Sequence, residues 1–449
     1  MRMPHLKQTL KQIRSALKKG DLDTVKTLIT DWRPPDQADI LSRLELETQA
    51  ALLPEFPPEL SANILEELRE HQAVELVEVL PDKALIPIVD RMEPDEAADL
   101  LKGLEPDRAE SLLSGMEGPD EIRPLMIHPD DSAGGLMTSD FMVLRPKMKV
   151  EEAIAALRHW HPDREAIYYL FVVDRDRRLC GVASLRELVI AAPNTRIGEI
   201  MQTEVIYVPA GADQEEVVRL MARYDLLALP VVDSSQTLLG VVTFDDVLDV
   251  IEQETTEDIQ RLGGAEPLER SYLETPPLTI VRKRVGWLLL LFITATFTGS
   301  VIRLFENELQ AVVALSVFVP LLIGTGGNAG SQTTATIIRS LATGDTKPRQ
   351  ALRVWWHEAR VGVFLGMAMA VVAYVRAITW EPSQALAITV AVSTACLVIW
   401  ATGVGAVLPL AAARLGFDPA LVSGPVMSTL VDATGLLIYF TIAGAILGL

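Results

Sequence analysis

From Val285 onward the chain holds five long apolar stretches, roughly 286–302, 309–337, 361–379, 385–412 and 419–448. Each can cross a hydrocarbon core, which takes about 20 helical residues. Long core helices of a water-soluble protein are the rival reading. Five in succession with almost no charge argue against it. The lipid bilayer is therefore the first partner that the sequence names.

Loop charges orient these helices. Arg282, Lys283 and Arg284 precede the first stretch, Arg339, Lys347, Arg349, Arg353 and Arg360 lie between the second and third, and Arg414 between the fourth and fifth. The other loops hold Arg303 with Glu306 and Glu308, and Arg376 with Glu381. Positive residues cluster on the side of the residues before 285, which predicts a cytoplasmic N-terminus and an external C-terminus. The first residues lack an apolar run of signal-peptide type, in keeping with a cytoplasmic front portion and an inner or plasma membrane location.

Charge divides at the same place. Residues 285–449 carry 8 Lys and Arg against 7 Asp and Glu; the totals are 40 and 60, which leaves 32 against 53 before residue 285, a net of −21. Such a surface repels nucleic acid and attracts cations, although a merely soluble acidic domain has the same composition. The two cysteines, Cys180 and Cys396, fall in different regions and form no thiolate metal motif.

Within the fifth stretch stands Asp432, 13 residues past Pro419 and 17 before Leu449, near the predicted membrane midplane. A carboxylate there normally faces a water-filled path or a partner charge, and that stretch offers no Lys or Arg; a protonated Asp bonded to a neighbouring helix is the alternative. The second stretch runs into GTGGNAGSQTT, where Gly324, Gly326, Gly327 and Gly330 permit close helix approach. Asn328, Ser331, Gln332, Thr333 and Thr334 bring uncharged oxygens to the same depth, as helix–helix glue, pore lining or both. Around Asp432 the available donors are all oxygen, which suits hard cations such as Mg²⁺ or Ca²⁺. Mg²⁺ sheds water reluctantly and so needs few carboxylates; a two-fold dimer would supply two.

Residues 137–250 contain a tandem repeat. Met137 matches Met201 and Glu151 matches Glu215, both 64 apart, whereas Asp174 matches Asp233 and Gly181 matches Gly240, both 59 apart. The first copy thus holds five extra residues, near His159–Arg164. Short apolar runs, FVV and GVA or PVV and GVV, read as paired strands between amphipathic helices. The repeat resembles a pair of cystathionine-β-synthase (CBS) domains. Thr243-Phe-Asp-Asp246 is similar to the ribose-holding segment of adenylate-binding members; its counterpart is Ser184-Leu-Arg-Glu187, and Tyr169 stands where it can stack on a base. The resemblance makes ATP a candidate ligand of Tyr169 and Glu187.

Residues 1–128 show no strand alternation. Helical stretches open at Pro81-Asp82, Pro94-Asp95 and Pro106-Asp107, which reads as a superhelix of short helices. Asp95 and Asp99 share a helix face, an arrangement mildly unfavourable unless something sits between them. A run of acids from Asp245 to Asp258 begins at the end of the second repeat and continues into a further helix, VLDVIEQETTEDIQRL, that ends at Gly263-Gly264. An ordinary solvated face has such a run; a link between a sensor and a channel also has one.

With these parts in this order the whole chain resembles the MgtE family of Mg²⁺ channels, most specifically in GTGGNAGSQ, LVSGPVMSTLVDATG, DDSAGGLMTS and DQEEVVRLM…VVTFDDVLDV…TEDI. The resemblance implies a homodimer built of an all-α N domain (1–128), an α/β CBS pair (129–250), a plug helix and linker (251–284) and an all-α membrane domain of five helices (285–449). It implies Asp432 as the pore ligand of hydrated Mg²⁺, assisted by backbone carbonyls such as that of Ser428. It implies regulatory Mg²⁺ held by Asp95 and Asp99, by Asp213, Glu215, Asp225, Asp246 and Asp249 with the carbonyls of Gly135 and Ala222, and by Glu254, Glu257 and Asp258. Asn63 and Gly424 depart from acidic and Asn positions of some relatives. Cytosolic Mg²⁺ would then close the pore, as feedback on uptake. A CBS-regulated path for Co²⁺ or Ca²⁺ and a membrane sensor without transport are the rivals. No nucleophile–base pair or phosphate loop points to an enzyme.

Overall fold

The computed structural model describes residues 3–159, 169–268, 272–273, 275–422 and 424–449. Of the five extra residues placed near His159–Arg164, all positions after His159 lie outside the described residues. The chain forms two compact units, Met1–Ile251 and Glu252–Leu449.

The first unit begins with short helices: α1 (Met3–Leu17), α2 (Leu22–Thr30), α3 (Pro34–Leu41), α4 (Leu46–Leu52), α5 (Pro58–Glu66), α6 (Glu70–Val79), α7 (Asp82–Val89), α8 (Pro94–Lys102), α9 (Pro106–Gly115) and α10 (Pro119–Ile122). Proline takes the first helical position of α3, α5, α8, α9 and α10, where its missing N–H is not needed. Pro81 differs: it sits one residue ahead of α7. From α3 to α9 each helix packs on the one two further along, which makes the stack of short helices. Their leucines form one buried core with Val217, Val231 and Val242 of the second repeat.

Each repeat folds into a three-stranded sheet. The first has β1 (Val143–Leu144) parallel to β2 (Tyr169–Val173), which pairs antiparallel with β3 (Leu179–Ser184). The second has β4 (Val208–Pro209), β5 (Ala228–Val232) and β6 (Leu238–Thr243) in the same order. The apolar runs are the hairpin strands; β1 and β4 are too short to show in the pattern. Around them lie α11 (Val150–His159), α12 (Leu185–Ile190), α13 (Ile197–Ile200) and α14 (Gln214–Tyr224). The hairpin turns match atom for atom. Asp174 Oδ1 accepts from the amides of Asp176 and Arg178 at 2.8 and 2.9 Å, and Asp233 Oδ1 from those of Ser235 and Thr237 at 2.7 and 2.8 Å.

The matched methionines and glycines interlock across copies. A Cβ at Gly240 would meet Met137 Cγ at 2.6 Å, and one at Gly181 would meet Met201 Sδ at 2.7 Å. Backbone bridges follow the same exchange, Thr138 to Val241 and Gln202 to Val182.

Helix α15 (Phe244–Leu262) crosses the boundary between the units. The second unit continues with α16 (Pro277–Leu304), α17 (Glu306–Ala311), α18 (Ala314–Ala342), α19 (Ala351–Trp380), α20 (Gln384–Leu415) and α21 (Gly424–Leu447). Five of these, all but α15 and α17, are long and apolar enough to cross a membrane. They outrun the apolar stretches. Arg282, Lys283 and Arg284, which precede the first apolar stretch, lie within α16, and His357 lies on α19. Hydropathy marks where lipid ends, while Arg, Lys and Glu carry a helix on into water. Helices α18, α20 and α21 pack on one another around Phe318, Leu322, Leu397, Val431 and Phe440.

Candidate functional site

Ser428 and Asp432 stand four residues apart on α21, so they share a face, while Met427 and Val431 turn into the core. Asp432 is half-buried. Counted from Gly424, it lies about 12 Å along the helix, nearer that end than its distance from Pro419 predicts. The residues Pro419–Val422 form a separate 3₁₀ turn, which accounts for the difference.

Glycine on α18 makes room for this face. A Cβ at Gly327 would lie 3.1 Å from Ser428 Oγ and 3.7 Å from Asp432 Oδ1. A Cβ at Gly326 would lie 2.8 Å from Leu397 and 2.9 Å from Val431, and one at Gly330 would displace the Met427 methyl, 2.5 Å away. The segment GTGGNAGSQ thus serves as close-packing surface, and it presents backbone rather than bulk to Asp432. Since α21 is continuous here, the regular helical pattern directs the Ser428 carbonyl at the Asp432 amide; the hydroxyl is the Ser428 group that faces α18. Among the described residues Asp432 forms no salt bridge. Nearby on α18, Thr333 Oγ1 donates to Glu358 Oε2 at 3.3 Å, a carboxylate that sequence reasoning left aside.

A second constellation lies in the first unit. Asp95 opens α8 and is buried, 6% exposed, with an Oδ1 that has no hydrogen-bond partner among the described residues. Such an orphan costs about 1–3 kcal/mol. Burial lifts its carboxyl to about 6, aided by Asp99 and Asp245 and opposed by a hydrogen bond to Thr138. Glu96 is pushed up to about 9, first by burial and then by Asp95, Asp246, Asp99 and Glu66. Asp246 is raised well above the usual carboxylate range by burial and by Asp95. Its Oδ2 accepts from the Thr243 hydroxyl at 2.5 Å. Glu66, at the end of α5, is raised by burial although the Glu93 amide donates to it at 2.7 Å, and Glu67 is raised by burial and Asp249. Asp99 is raised by burial despite Lys102, whose Nζ lies 3.1 Å from Asp99 Oδ1 and 2.6 Å from Asp130 Oδ1. Crowded, dry carboxylates have two remedies, a proton or a cation.

A family model described as "MgtE intracellular N domain" matches residues 32–131, "CBS domain" matches 133–194 and 197–253, and "Divalent cation transporter" matches 319–442. The chain is 47% identical over 327 residues to the magnesium transporter MgtE of Thermus thermophilus, which covers 73% of this chain and 72% of that one. The chain belongs to the MgtE family. The magnesium transporter MgtE of Bacillus subtilis is 36% identical over 324 residues, 72% of this chain and 71% of its own. Among solved structures, the cytosolic domain of the Mg²⁺ channel MgtE in complex with ATP has a TM-score of 0.51 and 38% identity, covering 54% of this chain and 99% of that one. The soluble part of a magnesium transporter has a TM-score of 0.50 at 28% identity, over 56% and 99%. MgtE proteins are transporters, so this chain is an integral membrane protein and not an enzyme.

Of the residues singled out for the MgtE-type regulatory sites, the structure brings Asp95, Asp99 and Asp246 into one electrostatic neighbourhood. Sequence reasoning missed Glu66, Glu67 and Glu96 there. Asn63 is exposed on α5, one turn before Glu66 and Glu67, so carboxylates stand one turn beyond the departure. Among the described residues no three His, Cys, Asp or Glu side chains are already gathered at metal-holding distances.

Asp213 caps α14, its Oδ1 accepting from the Glu215 amide at 2.9 Å. Gly135 belongs to a loop docked beside it, through Ala133 N to Ala212 O at 2.7 Å and Gln214 N to Asp131 O at 3.0 Å. A Cβ at Gly135 would strike Pro129 O at 2.2 Å. Ala222 and Asp225 lie at the other end of α14, roughly 14 and 18 Å along the helix from Asp213, with Asp225 in a left-handed cap at φ 53°. One chain therefore offers two separate groups.

At the far end of α15, Arg261 pairs with both Glu257 and Asp418, and burial followed by Asp418 raises Asp258. Neither Arg261 nor Asp418 was foreseen. Tyr169 begins β2, and Glu187 closes a capping box on α12, with Ser184 N and Oγ at 2.8 and 3.0 Å from its Oε2. Asp246 and Thr243 repeat that arrangement 59 residues later.

Proposed function

We propose that this chain is a Mg²⁺ channel for uptake across the plasma or inner membrane, gated by cytosolic Mg²⁺. The observation that carries the reading is Asp432, a carboxylate without a salt bridge among the described residues, set on α21 against the side-chain-free Gly327 of α18. An ionised carboxylate in hydrocarbon costs about 2.5–3.5 kcal/mol, and a hydrated cation in a water-filled path offsets that cost. With oxygen alone around it, the site favours a hard divalent ion that keeps its water. A homodimer would set two Asp432 side chains about one axis, with the Ser428 hydroxyl or carbonyl beside them. The Mg²⁺ named for the relatives at 47% and 36% identity supports this choice of ion.

In this reading the divisions 1–128, 129–250, 251–284 and 285–449 are N domain, CBS pair, plug helix with linker, and pore. The N-terminus is cytoplasmic and the C-terminus external. Asp95, Asp99, Asp246 and Asp249 with Glu66 and Glu96, then Asp213, Glu215 and the Gly135 carbonyl, then Asp225 and the Ala222 carbonyl, then Glu254, Glu257 and Asp258, hold regulatory Mg²⁺. Bridging ions favour the compact state and close the pore, because a ligand that binds one state better shifts the population toward it. ATP at the CBS pair, near Tyr169 and Glu187, is supported by the ATP complex of the similar cytosolic domain.

Uptake into proteoliposomes tests the ion. Mg²⁺ should enter down its gradient, with Co²⁺ and Ca²⁺ as weak competitors. Flux of Co²⁺ or Ca²⁺ that exceeds Mg²⁺ flux would select the other cation. No flux of any divalent ion would select a sensor without transport.

A further inference from the structure

Helices α16 and α21 enclose a cleft of about 440 Å³, lined by Leu290, Thr294 and Phe297 of α16, Thr429 and Ala433 of α21, and Leu408 of α20 among others. The volume suits a lipid-sized ligand, since such pockets run from about 300 to 1,000 Å³. The threonines do not make it polar. Thr294 Oγ1 donates to Leu291 O and Thr429 Oγ1 to Pro425 O, both at 2.9 Å, so each hydroxyl turns back to its own helix. Helix α16 buries none of its residues and touches chiefly α21.

The cleft has a charged mouth. Arg284 is exposed and lies seven residues before Leu291, on the same helix face and about 10 Å down the axis. Arg282 is exposed as well, about 200° round the helix from Arg284, so the two flank from opposite sides the face that carries Leu290, Leu291, Thr294 and Phe297; α16 contains no Asp or Glu. Lys283 Nζ reaches Pro267 O at 2.5 Å and ties this end to the linker. Between mouth and cleft stands Trp287, whose indole lies against Gly264, at φ 71°, where a Cβ would be 2.3 Å from Nε1.

A basic mouth above an apolar slot is the complement of an amphiphile with a negative head. We propose that an anionic glycerophospholipid, with a head group such as phosphatidylglycerol, binds here, its phosphate at Arg282 and Arg284 and an acyl chain in the cleft. The inference rests on reading these helices as membrane-spanning and not on which ion crosses. A second copy of the chain seated in the cleft would bring its own basic turn against this one. The seated acyl chain contacts α21 at Thr429 and Ala433, about 100° round the helix from Ser428 and Asp432, and so braces that helix from the side.

Native mass spectrometry and thermal unfolding of the full-length protein in detergent test this directly, with phosphatidylglycerol and phosphatidylcholine added in parallel. Phosphatidylglycerol should stay bound and raise the unfolding midpoint; phosphatidylcholine should do neither. Arg282→Gln with Arg284→Gln should weaken phosphatidylglycerol retention roughly tenfold or more. Thr294→Phe fills the cleft and should weaken it with both arginines intact; Leu290→Trp is the second filling variant if that one folds poorly. Equal retention of the two lipids overturns the proposal. So does loss in the arginine variants with none in the filling variants, which marks surface charge alone. Disulfide cross-linking of Thr294→Cys between two copies would assign the cleft to a second chain instead. Each outcome leaves ion uptake to be judged separately.

Discussion

Residues 1–284 carry 53 acidic side chains, and the fold presses Asp95, Glu96, Asp246 and Glu66 into one dry neighbourhood. Residues 285–449 carry only 7, and on α21 there is one, Asp432. The first arrangement spreads a task over many groups, any of which can lose its charge at moderate cost. The second concentrates a task in a single group with glycine opposite it. Redundant carboxylates suit a graded response to ion concentration, while a lone carboxylate suits an all-or-none requirement for passage.

The largest effect should come from the lone site. Asp432→Asn should reduce Mg²⁺ flux by roughly two orders of magnitude or more, since one unit of charge in a low-dielectric path is worth several kcal/mol. The variant should still fold and assemble, because the core around Val431 and Leu397 is untouched. Wild-type flux in a folded Asp432→Asn protein would erase the distinction between the two regions.

A moderate effect should come from the crowded site. Asp95→Asn, Asp246→Asn, Asp249→Asn and Glu257→Gln together should raise the Mg²⁺ concentration needed for closure roughly tenfold, equivalent to about 1.4 kcal/mol in the open–closed balance. Single variants should shift it less. Flux that shuts off at the wild-type concentration would make the acids ordinary solvated surface.

The smallest effect should be on pH. Asp95 at about 6 and Glu96 at about 9 both sit above the unfolded values of 3.8 and 4.5, so the folded state binds protons more readily. Their contribution is favourable at low pH and is lost as pH rises through the folded values, which spans about pH 4 to 9. Without divalent ions, protease resistance of the N domain should therefore fall between pH 5 and 9. Mg²⁺ should flatten that slope, and Glu96→Gln should flatten its upper part. A slope unchanged by Mg²⁺ would separate proton release from ion binding.

Much of this was legible in the sequence, and the rest was hidden for definite reasons. The repeat showed itself through Met137, Met201, Gly181 and Gly240, but that each methionine fits over the glycine of the other copy needs the folded pairing. Asp95 and Asp99 were legible from their four-residue spacing. Glu96 was not, because its partners, Glu66 and Asp246, come from α5 and α15. The doublet at Glu66-Glu67 after Asn63 was the available signal for those two. Arg261 and Asp418 are 157 residues apart, and no local pattern could join them. Helix ends were not legible from hydropathy, because good helix formers continue beyond the apolar stretch, as in α16 and α19.

Single-channel recording with Mg²⁺ varied on the side of the soluble domains separates the two regions most directly. For Asp95→Asn with Asp246→Asn, unit conductance should equal that of the wild type while closure requires more Mg²⁺. Unit conductance that falls while the closing concentration stays at the wild-type value would contradict the account, because it would place the crowded carboxylates in the ion path.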